Sequence, residues 1–225
     1  HEESLTGIIN GIDIRSFDPE TDPEIATNYS AETLQERASN KAALQKLMGL
    51  KIDEKIPLFG VVSRLENQKG VDLVLNALAK LNNIPWQAFI LGTGDPLLEK
   101  KARRLEKRMP ERVKVEIRYD GKLARKIYAG SDIFLMPSRY EPCGLSQMIA
   151  MRYGSVPIVR NTGGLKDTVN HGETGFIFEK ATTKDFLASI REALGIFTNH
   201  GDWQDIQRNG MAQDFSWANS AKQYA

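Results

Sequence analysis

The strongest constraint on the fold is a regular alternation of two kinds of segment that begins at Pro57. Residues 58–62 form a continuous apolar run, as expected of a strand buried on both faces, and residues 71–81 carry apolar side chains at helical spacing. The same pair of signals recurs along the chain. Such alternation predicts βαβ units, whose right-handed crossovers build an α/β fold with one Rossmann-like, doubly wound parallel sheet.

Five further strands are predicted, and the composition of two of them indicates where they lie. Residues 113–117 alternate between apolar and polar, which suits an edge strand. Pro157 has no N–H group, so we expect it at the start of a strand or in an edge strand. The further strands are predicted at residues 86–91, 113–117, 133–136, 156–159 and 175–178, and the further helices at residues 98–109, 123–129, 146–153, 165–169 and 184–197.

The whole chain is predicted to be one domain with three parts. The N-terminal part contains a helix over residues 31–48, which Ser30 caps and Gly49 ends. Residues 1–4 resemble neither a signal nor a transit peptide, and no initiator methionine is present, so we interpret the chain as a fragment or a processed product. The predicted parts are an N-terminal segment (1–56), a Rossmann-like core (57–198) and a C-terminal helical tail (199–225).

Charge balance and cysteine content exclude several classes of protein. The 30 Lys and Arg residues against 29 Asp and Glu residues give a net charge of +1, which predicts no broad attraction to nucleic acid or anionic lipid. Cys143 is the single cysteine and forms neither an internal disulfide nor a cysteine metal cluster. No apolar run is long enough for a transmembrane helix. We therefore predict neither nucleic acid nor a membrane as a partner.

Two cations follow the first strand, at the edge of the sheet where parallel α/β folds bind ligands. Arg64 and Lys69 lie five residues apart in a loop that opens a helix. Such a pair suits a phosphate group, because the free N–H groups and the dipole of the helix add to the positive charge. The alternative is a pair of solvated side chains in a surface loop.

The segment after the fourth strand combines a carboxylate with a turn that opens a helix. Glu141 either accepts hydrogen bonds from sugar hydroxyls or serves as a capping charge. The N–H groups of Gly144, Leu145 and Ser146 are candidates for holding a second phosphate. No histidine stands near Cys143 in sequence, so we interpret it as a small residue whose backbone matters rather than as a nucleophile.

Two other segments at this edge leave alternatives open. Tyr119, after the third strand, either stacks on a nucleobase or is a half-buried aromatic residue at a strand end. Thr162, Gly163 and Gly164, after the fifth strand, form either a turn against a diphosphate or a tight link between strand and helix.

Several familiar catalytic motifs are missing from the sequence. The third glycine of a dinucleotide fingerprint that starts at Gly92 would fall on Leu97, and no P-loop, His-Glu metal motif, Asp-x-Asp pair or nucleophile elbow occurs. We therefore predict no metal and no cofactor. The basic run at residues 100–104 is interpreted as a solvated helix face with Glu99 and Glu106 interleaved.

Four segments carry specific motifs: residues 63–70 (SRLENQKG), 91–96 (LGTGDP), 137–147 (PSRYEPCGLSQ) and 162–165 (TGGL). Together they resemble the family of bacterial glycogen synthases and plant starch synthases. The resemblance runs from residues 7–13 to residues 214–217 and therefore covers nearly the whole chain. It implies the C-terminal, donor-binding half of a two-domain GT-B glycosyltransferase.

The resemblance implies a role for each matching residue. Arg64 and Lys69 match the cations on the donor diphosphate, and Glu141 matches the carboxylate that binds hydroxyls of the donor glucose. The other matches are Cys143 and Gly144 at the sugar, Leu145 and Ser146 at the distal phosphate, and Tyr119 near the adenine.

The reaction that the resemblance implies transfers glucose from ADP-glucose to the non-reducing end of an α-1,4-glucan, with retention. The family's first domain is missing from this sequence, so we expect weak donor binding and little or no turnover by this chain alone. Two alternatives stay open: a non-catalytic module that binds a nucleotide-sugar or a glucan, and another GT-B hexosyltransferase that uses UDP-glucose. The implied location is the cytoplasm if the source is bacterial and the plastid stroma if it is a plant.

Overall fold

A computed structural model describes residues 7–224 of the chain. Residues 1–4, which resemble neither a signal nor a transit peptide, lie outside the described part. All six strands of its sheet run parallel, in the order β3-β2-β1-β4-β5-β6. The chain therefore builds outward from β1 in one direction and from β4 in the other, which confirms the doubly wound α/β prediction. The strands are β1 (Leu58–Val62), β2 (Gln87–Leu91), β3 (Val113–Glu116), β4 (Ile133–Met136), β5 (Val156–Arg160) and β6 (Phe176–Phe178).

Helices cover both faces of the sheet. One hydrophobic cluster packs α2, α3 and α7 against one face, and two others pack α4, α5 and parts of the N-terminal segment against the opposite face. The helices are α1 (Arg37–Leu47), α2 (Val71–Lys80), α3 (Pro96–Arg108), α4 (Gly121–Gly130), α5 (Ser146–Arg152), α6 (Gly163–Thr168), α7 (Thr183–Phe197), α8 (His200–Met211) and α9 (Trp217–Lys222).

The first helix begins later than the sequence predicts. The Ser30 hydroxyl accepts a hydrogen bond from the N–H of Glu32, and the N–H of Ser30 bonds to the Thr33 hydroxyl at 2.9 Å. These side chains occupy the local backbone groups in a turn, which competes with helix formation. A 3-10 helix (Leu34–Glu36) follows this turn, the α-helix begins at Arg37, and Gly49 follows its end with a left-handed φ of 63°.

The two strand-position predictions have different outcomes. The strand β3 lies at the edge of the sheet, as predicted. The strand β5 lies between β4 and β6, which contradicts the edge alternative for Pro157, but Pro157 is its second residue, in agreement with the alternative of a strand start. The N–H of Val156 donates toward β4, to Asp132 O at 2.9 Å, so the nitrogen of Pro157 points toward the β6 side. Pairing with β6 begins only at Ile158, so Pro157 costs the sheet no hydrogen bond at the start of the strand.

The N-terminal segment is tied to the rest of the domain. The Ile12 N–H donates to Phe215 O at 2.8 Å, which joins this segment to the C-terminal tail. The Tyr29 hydroxyl donates to Tyr153 O at 2.7 Å, and burial raises the pKa of Tyr29 to about 12. The segment is thus fixed beside α4 and α5, near the carboxyl edge of the sheet.

Candidate functional site

The loops after β1 and β4 are held together because these two strands are neighbours in the sheet. The Arg139 guanidinium binds both carboxylate oxygens of Asp72, in the first turn of α2, at 2.7 and 2.8 Å. Burial alone would raise the pKa of Asp72, but the hydrogen bonds and charge of Arg139 outweigh it and lower the pKa. The backbone N–H of Arg139 also donates a hydrogen bond to the backbone oxygen of Gln68 at 2.8 Å. These bonds fix where Lys69 and Glu141 lie relative to each other.

Lys69 and Glu141, which sequence analysis treats as separate contacts, meet directly. The Lys69 Nζ atom lies 2.5 Å from Glu141 Oε2, and the two side chains are only 17% and 8% exposed. The buried Ser138 hydroxyl donates to the same oxygen at 3.2 Å. Glu141 Oε1 accepts no hydrogen bond from the described part of the chain, so it is free to accept one from a ligand hydroxyl.

The glycine turn after β5 packs against the backbone of the Glu141 loop. The Gly164 N–H donates to Glu141 O at 3.1 Å. A Cβ atom on Gly163 would lie 2.0 Å from Glu141 O, and one on Gly164 would lie 2.3 Å from Cys143 O. The turn therefore supports the loop that carries Glu141. Contact of Thr162, Gly163 and Gly164 with a diphosphate stays a prediction.

A second pair of glycines, Gly92 and Gly94, lets the loops after β1 and β2 pack closely against each other. A Cβ atom on Gly92 would lie 1.8 Å from Ser63 O, and one on Gly94 would lie 2.5 Å from Leu65 O. At these positions the backbone of a neighbouring loop fills the space that a side chain would need. Both glycine pairs shape the edge of the sheet by close backbone packing.

The turn before α5 presents backbone groups rather than a reactive thiol. Gly144 has a left-handed φ of 74°, and α5 begins at Ser146, so the first N–H groups of α5 have no acceptor within the helix. Burial raises the pKa of the Cys143 thiol, against a smaller opposite effect of the Asn10 backbone N–H. A raised thiol pKa favours the interpretation of Cys143 as a small residue rather than a nucleophile.

An open cleft of about 820 Å³ lies beside this turn, along the carboxyl ends of β1 and β2. Its lining includes Arg64, Tyr119 and Ser146. The Arg64 side chain is 62% exposed and pairs with Glu66 at 2.7 Å, and Tyr119 is 91% exposed, which contradicts the half-buried alternative. We call Arg64, Tyr119 and Ser146 the cleft group.

Four other predicted residues lie away from the lining of that cleft and contact one another: Lys69 is bonded to Glu141, and Gly163 and Gly164 pack against the backbone of the Glu141 loop. We call Lys69, Glu141, Gly163 and Gly164 the closed group. Leu145, which is 46% exposed, directly precedes Ser146 at the mouth of the cleft. The structure thus brings all the predicted segments to one edge of the sheet. Cys143, Gly144, Leu145 and Thr162 lie in the same turns and belong to neither group.

Sequence reasoning missed one wall of the cleft. Ser16 and Phe17 of the N-terminal segment line it, although their loop carries no recognisable motif. Arg125 of α4 holds them there: its guanidinium lies 4.5 Å from the centre of the Phe17 ring, 2.7 Å from the Ser16 hydroxyl and 3.1 Å from Asp22. The Tyr153 hydroxyl donates to Asp22 as well. An arginine on a helix gives no sequence signal for this role.

The fold and the site together define a class of protein. A doubly wound parallel sheet with cations, a carboxylate and a helix-opening turn at its carboxyl edge is the architecture of Rossmann-like domains that bind phosphorylated ligands. The sequence profile of the family "Glycosyl transferases group 1" matches residues 46–196, and the chain belongs to this family. The sheet is that of the C-terminal half of a GT-B glycosyltransferase, as the sequence predicts.

Individual relatives agree with this assignment. The chain is 46% identical to glycogen synthases of Aromatoleum aromaticum and Lactobacillus acidophilus, over 98% of its length and 47% and 48% of theirs. The catalytic domain of starch synthase IV from Arabidopsis thaliana, solved with ADP and acarbose, superposes with a TM-score of 0.93 at 37% identity. That superposition covers 100% of this chain and 48% of the other. The chain thus spans about half the length of these relatives.

No helix within residues 7–224 is both long enough and apolar enough to cross a bilayer.

Proposed function

We propose that this chain is the donor-binding part of a retaining glycogen or starch synthase, which transfers glucose from ADP-glucose to the non-reducing end of an α-1,4-glucan. The observation that carries the proposal is the contact of Lys69 with Glu141 at 2.5 Å, beside an open cleft that Arg64 lines. It juxtaposes a cation for a diphosphate with a carboxylate for a sugar. The identity to glycogen synthases and the likeness to an ADP-bound starch synthase support the choice of reaction and nucleotide.

The contacts within the site support a role for each group. The Lys69 ammonium donates one N–H to Glu141, so its two other N–H groups are available to a diphosphate. Glu141 Oε1 is available to accept hydrogen bonds from sugar hydroxyls. Arg64 reaches the diphosphate from the cleft, and Tyr119 stacks on the adenine. The remaining contacts are backbone N–H groups: Cys143 and Gly144 at the sugar, and Leu145 and Ser146 at the distal phosphate. The Thr162, Gly163 and Gly164 turn lies at the diphosphate, where Thr162 and Gly163 offer their N–H groups, because the Gly164 N–H is already bonded to Glu141 O.

The proposed reaction proceeds by attack on the face that the leaving group departs from. The bond from glucose C1 to the phosphate oxygen breaks, and a bond from C1 to the 4-oxygen of the acceptor forms on the same face. The proton of the acceptor hydroxyl passes to the departing phosphate oxygen. Arg64, Lys69 and the N–H groups of the α5 turn stabilise the charge that develops there, and loss of one such donor costs about 3 kcal/mol.

The proposed partners are the ADP-glucose donor, the α-1,4-glucan acceptor and the family's N-terminal GT-B domain, which completes the cleft. The proposed location is the cytoplasm if the source is bacterial and the plastid stroma if the source is a plant. Because half of the cleft belongs to the other domain, we expect this chain alone to bind the donor weakly and to turn over little or not at all. Robust glucan synthesis by the chain alone would contradict that expectation.

Two measurements test the proposal. Calorimetric titration of the chain with ADP-glucose and UDP-glucose should show tighter binding of ADP-glucose, and tighter binding of UDP-glucose would point to another hexosyl transfer. In a two-domain enzyme, Glu141→Ala should lower kcat/KM about a hundredfold or more, because a charged contact to the donor is lost. Unchanged activity in that variant, with the fold intact by circular dichroism, would favour a non-catalytic binding module.

A further inference from the structure

The outer face of α3 carries a concentrated stripe of positive charge. Its members are exposed, and none forms an ion pair or a side-chain hydrogen bond within the described part of the chain. At 3.6 residues per turn they fall within an arc of about 120° and extend over about 12 Å of helix. We call these residues the cationic stripe: Lys100, Lys101, Arg104, Lys107 and Arg108.

The acidic residues that interleave with the stripe in sequence do not do so in space. Glu99 accepts hydrogen bonds from the Gly94 N–H and the Thr93 hydroxyl, both at 2.8 Å. Glu106 accepts one from the Val115 N–H at 3.1 Å and pairs with Arg103. Both carboxylates are therefore engaged on another flank of α3, and neither neutralises the stripe.

The fold itself does not account for the stripe. The face of α3 that packs into the core consists of Leu98, Ala102 and Leu105, so the cations contribute nothing to that contact. Like charges three or four residues apart destabilise a helix, and only Lys107 and Arg108 lie in the last turn, where the helix dipole favours them. The net charge of the chain is only +1, so the stripe is a local concentration of charge.

We propose that the cationic stripe is a docking surface for an acidic segment of a partner polypeptide. Charge complementarity favours an anionic partner. The side chains of α3 favour a polypeptide over a membrane or a nucleic acid. The apolar face of α3 is buried, which leaves only Leu97, at 69% exposure, for insertion into a bilayer. The stripe contains no aromatic side chain on which bases would stack. Cations one and two helical turns apart match carboxylates at the same spacing on an acidic segment.

The probe for this surface is a fluorescent polyglutamate peptide of about 20 residues, titrated by anisotropy at low salt, where exposed charges are little screened. The test variant is Lys101→Glu/Arg104→Glu/Lys107→Glu. The matched control is Lys46→Glu/Lys184→Glu/Arg191→Glu, which changes the net charge equally at exposed cations on α1 and α7. We expect the test variant to bind at least about tenfold more weakly and the control at most about twofold.

Three results would overturn the proposal: no binding of polyglutamate at low salt, equal weakening in both triple variants, or tighter binding of duplex DNA or phosphatidylserine vesicles than of polyglutamate. Equal weakening would mean that net charge alone decides the affinity. If the glutamate variant does not fold, as judged by near-UV circular dichroism, Lys101→Gln/Arg104→Gln/Lys107→Gln replaces it. That variant should still lose affinity relative to the matched glutamine control.

Discussion

The closed group and the cleft group lie at the same sheet edge, but their physical states are opposite. Lys69 and Glu141 are nearly buried and already bonded to each other, whereas the Arg64 side chain is 62% exposed and Tyr119 is 91% exposed. The closed group is therefore fixed before a ligand arrives, and the cleft group loses side-chain freedom when one binds. Substitutions in the closed group should change the stability of the fold, and those in the cleft group should change only binding.

The largest effect is expected for Gly163→Ala. Gly163 has a left-handed φ of 44°, and a Cβ atom there would lie 2.0 Å from Glu141 O. Backbone strain and the clash together should lower the free energy of unfolding by about 4 kcal/mol, measured by urea denaturation.

The matched control for that substitution is Gly195→Ala, inside α7, where a Cβ atom would meet nothing within 4 Å. It should raise the free energy of unfolding by about 0.5–1 kcal/mol, because alanine favours the helix. Equal stability of the two variants would show that the turn after β5 is not tightly packed against its neighbour.

A smaller loss is expected for Glu141→Ala. It leaves the Lys69 ammonium, only 17% exposed, without its carboxylate, and such a loss costs about 3 kcal/mol in the free energy of unfolding. The double variant Lys69→Met/Glu141→Ala removes the unpaired charge and should recover most of this loss in the same urea titration. A double variant no more stable than Glu141→Ala would mean that the ion pair is not what stabilises the loop.

Arg64→Ala should separate binding from stability. Its exposed pair with Glu66 contributes little, so the free energy of unfolding should change by less than about 0.5 kcal/mol. Loss of one charge-assisted contact should weaken ADP binding about tenfold, measured by calorimetry. Arg104→Ala, on the outer face of α3, is the control and should leave ADP affinity unchanged. If Arg64→Ala destabilises the fold as much as Glu141→Ala, the division into two groups is wrong.

The smallest effect is expected for Tyr119→Ala, which removes a stacking surface from the cleft. Binding of ADP should weaken by about 1 kcal/mol, or roughly fivefold, with no change in the unfolding transition. Tyr119→Phe keeps the ring and should bind ADP like the unchanged chain. An equal loss in both variants would assign the contact to the hydroxyl instead of the ring.

Local patterns in the sequence predict the strands well, because each strand depends on neighbouring residues. The apolar run at Leu58–Val62 and the alternation around Val113–Glu116 give the positions of β1 and the edge strand β3. The interior place of β5 was not predictable, because it depends on which side of the strand Pro157 turns its nitrogen and where β6 begins.

The sequence by itself therefore determined the α/β class, the order of elements along the chain and the short segments that follow the strands at the carboxyl edge of the sheet. Only the tertiary structure decided which of those residues meet. Lys69 touches Glu141 because β1 and β4 are neighbours, Phe17 reaches the cleft because Arg125 holds it there, and Glu99 turns away from the cationic stripe to bond Gly94. Contacts between residues far apart in the chain depend on how the elements pack, and neither composition nor periodicity predicts them.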